Sequence, residues 1–493
     1  MDFLLRPRSV AVVGASIDPL KLSGRPLDYL KRFGYAGKII PVNPNRDQVQ
    51  GLPAVRTVSG IPEPVDLALI AVPAAQVAGC VQDCAEAGVG VAAIFAAGFD
   101  ETESGGVAQD ELVSIAARSG MRLLGPNCLG ALSLPNGLTA TFTSALDELD
   151  ELRLGNVAVV TQSGAFGTFV FSAGQREGLG FSHVVNTGNE ADLTAGEVVE
   201  ALADDPATDV FLVYLEQIRN GRAFVRGLQA ARRAGKPVVV VKIGTSEAGR
   251  RAARWHTGAR TGEDSVIDDV LRQFGAIRVD SMEDLLDAAK IFGSKRRALG
   301  NRATVLSISG GSAALMADRA VAEGLRVDPW DDEWQDRAGA GLPSYASTRN
   351  PVDLTAEVIA NPDLFARGVD IAVAHPDTDV VAVGLGNADS GAAKIVEALI
   401  AASERTAKPI AVSWVGGNGW ARKALTEAGV PVYGDPARAV KALSMLVGYG
   451  QFQESTAGSD ELPGIDLACA QWNTLPPSTA QCRVHAIRHS TQS

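Results

Sequence analysis

The chain has 493 residues, a length that predicts about three domains at roughly 150 residues each. Against 45 Lys and Arg stand 57 Asp and Glu, and the formal charge of −12 excludes a sequence-independent nucleic-acid binder, which needs a basic face to release counterions. Hydrophobic residues at 46% with 21% charged residues mark a globular chain, and 52 glycines point to many strand-to-helix turns. No apolar run reaches the ~20 residues of a membrane helix and Met1 to Ser9 is too short for a secretory signal, so the chain reads as cytoplasmic, away from membranes. Five cysteines (Cys80, Cys84, Cys128, Cys469, Cys482) are odd in number and scattered. The Cys80/Cys84 pair has no second pair to complete a zinc site, so no metal is expected.

From the N-terminus, SVAVVGAS (Ser9 to Ser16), KIIPVNPN (Lys38 to Asn45), LALIAVPA (Leu67 to Ala74) and VAAIFAAG (Val91 to Gly98) are apolar runs separated by amphipathic stretches. Strands apolar on both faces and alternating with helices predict a parallel sheet, here a βαβ domain over residues 1–130. The remainder holds an internal repeat. Asn156 to Leu179 lies against Arg302 to Leu325 at a constant offset of 146, each copy reading strand, Ser-Gly, a thirteen-residue helical stretch, then Gly-Leu. Asp205 to Glu216 resembles His375 to Gly386, and Lys236 to Gly244 resembles Lys408 to Gly416. Three matched blocks in one order predict two α/β domains of one kind, at 131–297 and 298–455, joined by a solvated linker near Gly293 to Arg302. Residues 456–493 lack periodicity and read as a poorly ordered tail.

The first glycine turn is not a dinucleotide fingerprint. Ser16 and Pro19 stand where G-x-G-x-x-G needs glycines, and Asn43 and Asn45 replace the ribose-binding acid. Its backbone N–H groups and the following helix terminus still suit a nucleotide-type phosphate, the alternative being a plain turn. Ser163-Gly164 and Ser309-Gly310 each leave a strand and open a helix. Alone either is a capped turn or a modest anion site, and two facing each other can hold a phosphoryl group. The copies differ elsewhere: Glu216 ends the third strand of the first copy where the second has Gly386, and His256 falls where the second has Ala428. Strand C-termini of a parallel sheet are where such folds build sites, so Ser163, Glu216 and a Gly-rich loop carrying His256 should converge. A carboxylate on one ring nitrogen makes the other a better nucleophile, and hence a phosphoryl acceptor; a structural histidine is the alternative. His183, in a strand, and His375, in a loop without partners, read as structural, and His485 and His489 as solvated.

At these residues the chain resembles the NDP-forming acyl-CoA synthetases, that is, ADP-forming acetyl-CoA synthetase and, more distantly, succinyl-CoA synthetase alpha subunits. The likeness covers about residues 5–455 and rests on VVGAS, IIPVNPN, AVPA, AAGF, LLGPNCLG, TQSGAFG, NTGNEAD, VYLEQI, HTGA, ISGG and NPVDL. It implies a Rossmann-like CoA-binding domain followed by two flavodoxin-like parallel-sheet domains. It also implies a CoA site lined by Gly14, Ala15, Ser16, Ile17, Asp18, Val72, Pro73, Ala96, Ala97 and Gly98. His256 would be the phosphorylated histidine and Glu216 its carboxylate partner, with Ser163, Gly164, Ala165, Gly310 and Gly311 gripping the phosphate. In this family a carboxylic acid, CoA and ATP give acyl-CoA, ADP and phosphate through an acyl phosphate and a phosphohistidine.

The family also needs an ATP-grasp module for ATP and Mg²⁺. None fits after Val447, so the resemblance implies a separate β-type subunit and an assembly of two such chains with two partners. Trp255 and Arg260 depart from the family pattern, which has Ser before the histidine and Leu or Met after HTGA. A non-catalytic CoA-binding sensor or scaffold of the same fold is the rival reading. An NAD-dependent oxidoreductase is disfavoured by Ser16 and Asn43.

Overall fold

Short apolar runs joined by amphipathic helices pair in parallel three times over, giving three separate sheets. A computed structural model describes residues 1–102, 105–257 and 264–457, with the side chains of 253–257 and of residue 389 outside the description. The first sheet has the spatial order Lys38–Val42, Ser9–Val13, Leu67–Ile70, Val91–Ile94, Arg122–Leu124, all parallel. The parallel part of the second runs Phe181–Asn186, Leu154–Thr161, Val210–Leu215, Val238–Lys242, Ile277–Val279. The third runs Val352–Asp353, Ala303–Ser307, Val380–Gly386, Ile410–Val415, Val432–Tyr433. Counted along the chain, each parallel set has the order 2-1-3-4-5, the flavodoxin-type winding.

The second sheet is not wholly parallel. Gly130–Ser133 and Leu138–Thr141 form an antiparallel hairpin added beside Phe181–Asn186. A Leu134–Asn136 turn closed by Gly137 at φ 63 joins its strands. The turn residues Pro-Asn-Gly are in the sequence, but with no alternating pattern beside them they did not separate from the surrounding loop.

Alternating side chains along each strand enter different layers of core. Val10, Val12, Leu67 and Leu69 of the first sheet join Ala158, Val160, Phe211 and Val213 of the second in one continuous core. The opposite face of the second sheet, with Val157, Val159 and Leu212, joins Ala303, Val305 and Val380 of the third. Outer layers cover the remaining faces of the first and third sheets. The Ser-Gly repeats both open helices of thirteen residues, Gly164–Arg176 and Gly310–Ala322, and both helices pack into the layer between the second and third sheets.

The segment read as a solvated linker keeps Lys295, Arg297 and Leu299 exposed, but it is tied near its start: Lys295 Nζ lies 2.7 Å from Asp209 and Arg296 Nη2 donates to Ser403 O of the third unit at 2.6 Å. Helix Pro436–Ser455, capped by Asp435, packs on both Met282–Gly293 and Gly310–Ala322. Residues 458–493 of the predicted tail lie outside the described residues. No helix among the described residues is long and apolar enough to cross a membrane.

Across that helix seam Arg438 makes two 2.7 Å bonds to Asp287, whose carboxyl burial pushes above the usual range against the pull of the guanidinium. Arg438→Ala strands this buried carboxylate and should lower unfolding free energy by about 2–4 kcal/mol in denaturant titration. The double replacement Arg438→Leu with Asp287→Leu should recover most of that loss.

Candidate functional site

Strand order decides where side chains can converge. In a 2-1-3-4-5 sheet the helices after strands one and three leave on opposite faces, so a crevice opens between those strand ends. In the first sheet it lies between Gly14 and Val72. Gly14 has φ 83, and a Cβ there would sit 2.8 Å from both Ala71 O and Val72 Cγ1, so glycine is required. Ala96 to Gly98 follow the neighbouring strand, and Gly98 approaches Ala74. Ile17, Pro73, Ala97 and Gly98 are exposed and Ser16 and Asp18 half-exposed, so the rim is open to a ligand.

The turn is more closed than its sequence implies. The amides of Gly14 and Ala15 both donate to Val42 O, Ser16 N donates to Ser23 O, and Asp18 N donates to Ser16 Oγ. The next helix, Arg25–Arg32, begins well beyond the turn. Four of the amides expected to face a phosphate are thus already bonded within the chain, two of them to the end of the neighbouring strand.

In the second sheet the same crevice lies between Ser163 and Glu216. Ser163 caps its helix, Oγ accepting from Phe166 N at 3.3 Å, and a Cβ on Gly164 would collide with Leu129. Phe166 stacks on Tyr214 of the neighbouring strand at 4.0 Å, locking helix start to strand end. Glu216, 4% exposed, follows that strand directly. The next strand ends in Lys242, a buried amine that burial pushes down to about 8. Helix Glu247–Thr257 comes after it.

His256 was expected on a loop; its backbone lies in the last turn of that helix, where the Ala- and Arg-rich run before it favours helical backbone. Its side chain, that of Trp255, and all of Arg260 lie outside the described residues.

The third sheet repeats the geometry without the chemistry. Ser309 makes no side-chain cap; its N–H donates to Ser307 Oγ at 3.1 Å. The position of a Cβ on Gly310 is 2.9 Å from Asp353 Oδ2, so a carboxylate already faces this helix end and offsets its dipole. Gly311 is exposed with open space beside it.

Sequence reading missed the polar groups behind the second crevice. Gln162, Glu190 and Lys242 are all buried, and Asn189 reaches from the NTGNEAD turn to Glu101 at 2.5 Å and Gln109 at 3.1 Å in the first unit. Arg219 pairs with Asp100 across the same seam. Only spatial proximity marks these residues, since their chain separations are long. His183 is buried against Asp205 at 3.0 Å, while His375, expected without partners, accepts from Asp377 N and stacks on Trp330. Burial pushes the Cys128 thiol up to about 12, and among the described residues no three His, Cys, Asp or Glu side chains gather as a metal site.

Residues 8–133 match the profile of a CoA binding domain, and residues 154–292 that of a succinyl-CoA ligase like flavodoxin domain. Over 455 residues the chain is 33% identical to the alpha subunit of acetate–CoA ligase [ADP-forming] II of Pyrococcus furiosus, which spans 91% of this chain and 97% of that one. The chain belongs to the NDP-forming acyl-CoA synthetases. Acetate–CoA ligase [ADP-forming] I of Archaeoglobus fulgidus is 34% identical over 465 residues, 94% of this chain but 65% of its own length. An acetyl-coenzyme A synthetase of Ca. Korarchaeum cryptofilum, solved with phosphate and ADP, matches with TM-score 0.84 and 33% identity over 92% of this chain and 97% of that one. As an NDP-forming acyl-CoA synthetase of alpha type, the chain is the CoA-binding part of a ligase.

Burial pushes the Glu190 carboxyl from 4.5 up to about 7. The folded state thus binds more protons than the unfolded chain between these values. The stability this group contributes is full below 4.5 and is lost as pH rises through about 7. Glu190→Gln, which removes the titration, should gain about 1–3 kcal/mol on wild type between roughly pH 5 and pH 8, read by denaturant titration at each pH.

Proposed function

We propose that the chain joins a small-molecule carboxylic acid to CoA at the cost of ATP, releasing ADP and phosphate, with the nucleotide and Mg²⁺ handled by an ATP-grasp β-type partner. The observation that carries this reading is the pairing of two strand-end crevices in one chain. An open one follows the CoA-binding sheet, and one closed around a helix N-terminus and a buried Glu216 follows the next. The Archaeoglobus relative, of which the chain covers 65%, has room beyond the match for a nucleotide module. The relatives named above are ligases, which favours catalysis over a CoA-binding scaffold. An assembly with partner chains in the cytoplasm accords with this reading.

In the mechanism proposed, His256 accepts a phosphoryl group from ATP on the partner and passes it to the substrate carboxylate. The P–N bond breaks as the P–O bond of an acyl phosphate forms. The CoA sulfur then attacks the acyl carbon, the C–S bond forms, and phosphate leaves with the electrons of the C–O bond. Glu216 orients the imidazole through one ring nitrogen and balances the positive charge it acquires. The Ser163, Gly164 and Ala165 N-terminus stabilises the phosphoryl oxygens with oriented N–H dipoles. The family resemblance gives Gly310 and Gly311 the same role from the third sheet, where they act against the charge of Asp353. Gly14 to Asp18, Val72-Pro73 and Ala96 to Gly98 hold CoA within reach. Domain limits of 1–130, 131–297 and 298–455 go with these roles.

Incubating the chain with a ³²P-labelled acyl phosphate tests the carrier role. Wild type should take label, His256→Ala none, and Glu216→Gln should label about 10–100-fold more slowly. All three should still form acyl-CoA from acyl phosphate and CoA. A wild type that takes no label would refute the carrier.

A further inference from the structure

Glu216 is held by its own peptide. Gln162 Oε1 accepts from the N–H of Glu216 at 2.6 Å and of Gln217 at 3.0 Å, while its Nε2 donates to Gln217 O at 2.8 Å. From the other side Lys242 Nζ donates to Glu216 O at 3.0 Å and to Ile243 O. Glu190 lies beside Gln162, whose side chain favours its ionised form, and the Glu190 carboxyl accepts from Thr187 Oγ1 at 2.9 Å and Ala195 N at 2.8 Å. Glu190 adopts φ 53, a left-handed conformation that a non-glycine residue keeps only where its surroundings enforce it. The adjacent Asn189 side chain bonds Glu101, and Glu101 in turn accepts from Gly98 N at 2.5 Å. Hydrogen bonds thus tie the strand-end loop of the first sheet to the 186–192 turn, and Gln162, beside that turn, to the Glu216 peptide.

We propose that Gln162, through its bonds to the Glu216 and Gln217 backbone, is a positioning residue that sets Glu216 for the histidine phosphorylation step. The inference rests on the role given to Glu216 above. Three hydrogen bonds to the backbone of Glu216 and Gln217 fix where the Glu216 Cα stands, and a displacement near 1 Å at a reacting group can cost about 10²-fold in rate. The attack of CoA on an acyl phosphate uses neither Glu216 nor His256, so a fault in this support should appear in one half-reaction and not the other. General loosening of the fold would depress both.

Gln162→Leu keeps the volume and removes all three bonds; Glu190→Gln keeps the shape of the support and removes its ionisation. Each full-length variant is given a ³²P-labelled acyl phosphate, and label on the histidine is timed as the P–O bond to the acid breaks and P–N forms. In parallel, acyl-CoA formation from acyl phosphate and CoA is measured, with the KM for CoA. For Gln162→Leu we expect labelling slowed about 10–100-fold, with acyl-CoA formation within about twofold and KM for CoA unchanged. Glu190→Gln, expected above to be more stable than wild type, should slow labelling about 3–10-fold in the same selective way. Arg219, Asp100, Glu101 and Glu216 also carry charge around Glu190, so both variants are compared with wild type at a single pH. Equal losses in both half-reactions, or wild-type labelling in both variants, would overturn this proposal alone. A wild type that takes no label overturns the carrier reading with it.

Discussion

A parallel sheet wound in the order 2-1-3-4-5 cannot close over the ends of its first and third strands. The crossovers from those strands leave on opposite faces, and the strand-end peptides between them stay available. This chain meets that constraint three times, and what fills each gap distinguishes its units. In the first sheet the gap is tightened by Gly14 against Val72 and left open at its rim. In the second it is packed with Gln162, Glu216 and Lys242. In the third a carboxylate, Asp353, stands against the helix end.

The contrast between the second and third units has a physical basis. Buried charged and polar groups are costly unless hydrogen-bonded, and the second unit supplies partners for each through neighbouring peptides and side chains. Where its Lys242 stands, the third unit has Trp414, 1% exposed, and where Glu216 stands it has Gly386. One copy thus keeps a hydrated-type polar apparatus inside protein, and the other replaces it with apolar packing. That division fits a single titrating centre served by two similar frames.

Much of the frame was legible. A constant offset of 146 between two Ser-Gly blocks predicted two helices of thirteen residues, and both have that length. Apolar runs gave the parallel strands because a strand buried on both faces has no polar side to show. The hairpin Gly130–Ser133 and Leu138–Thr141 escaped, since short strands flanked by loop residues have too few positions for a period to stand out. Each Ser-Gly corner was read as a capped turn or an anion site; Ser163 caps its helix, while Ser309, which looks the same in sequence, makes no side-chain cap. Gln162 and Glu190 stand inside the motifs TQSGAFG and NTGNEAD, and Lys242 ends an apolar strand, but what they touch does not show in those segments. Their meaning arises where segments 28 and 54 residues apart meet, as Gln162 meets Glu190 and Glu216. The helical backbone at His256 shows the limit of reading glycines ahead: Gly258 lies after the histidine, while Ala252, Ala253 and Arg254 before it favour a helix.

Side chains that alternate along one strand here belong to two different interiors, so neither of two adjacent sheets owns the layer between them. Loosening the third sheet would expose the inner face of the second, and loosening the second would expose the first. Heat or denaturant should therefore meet a single cooperative block rather than three beads on a string, with amide exchange in Val159 and Val305 governed by one and the same opening event.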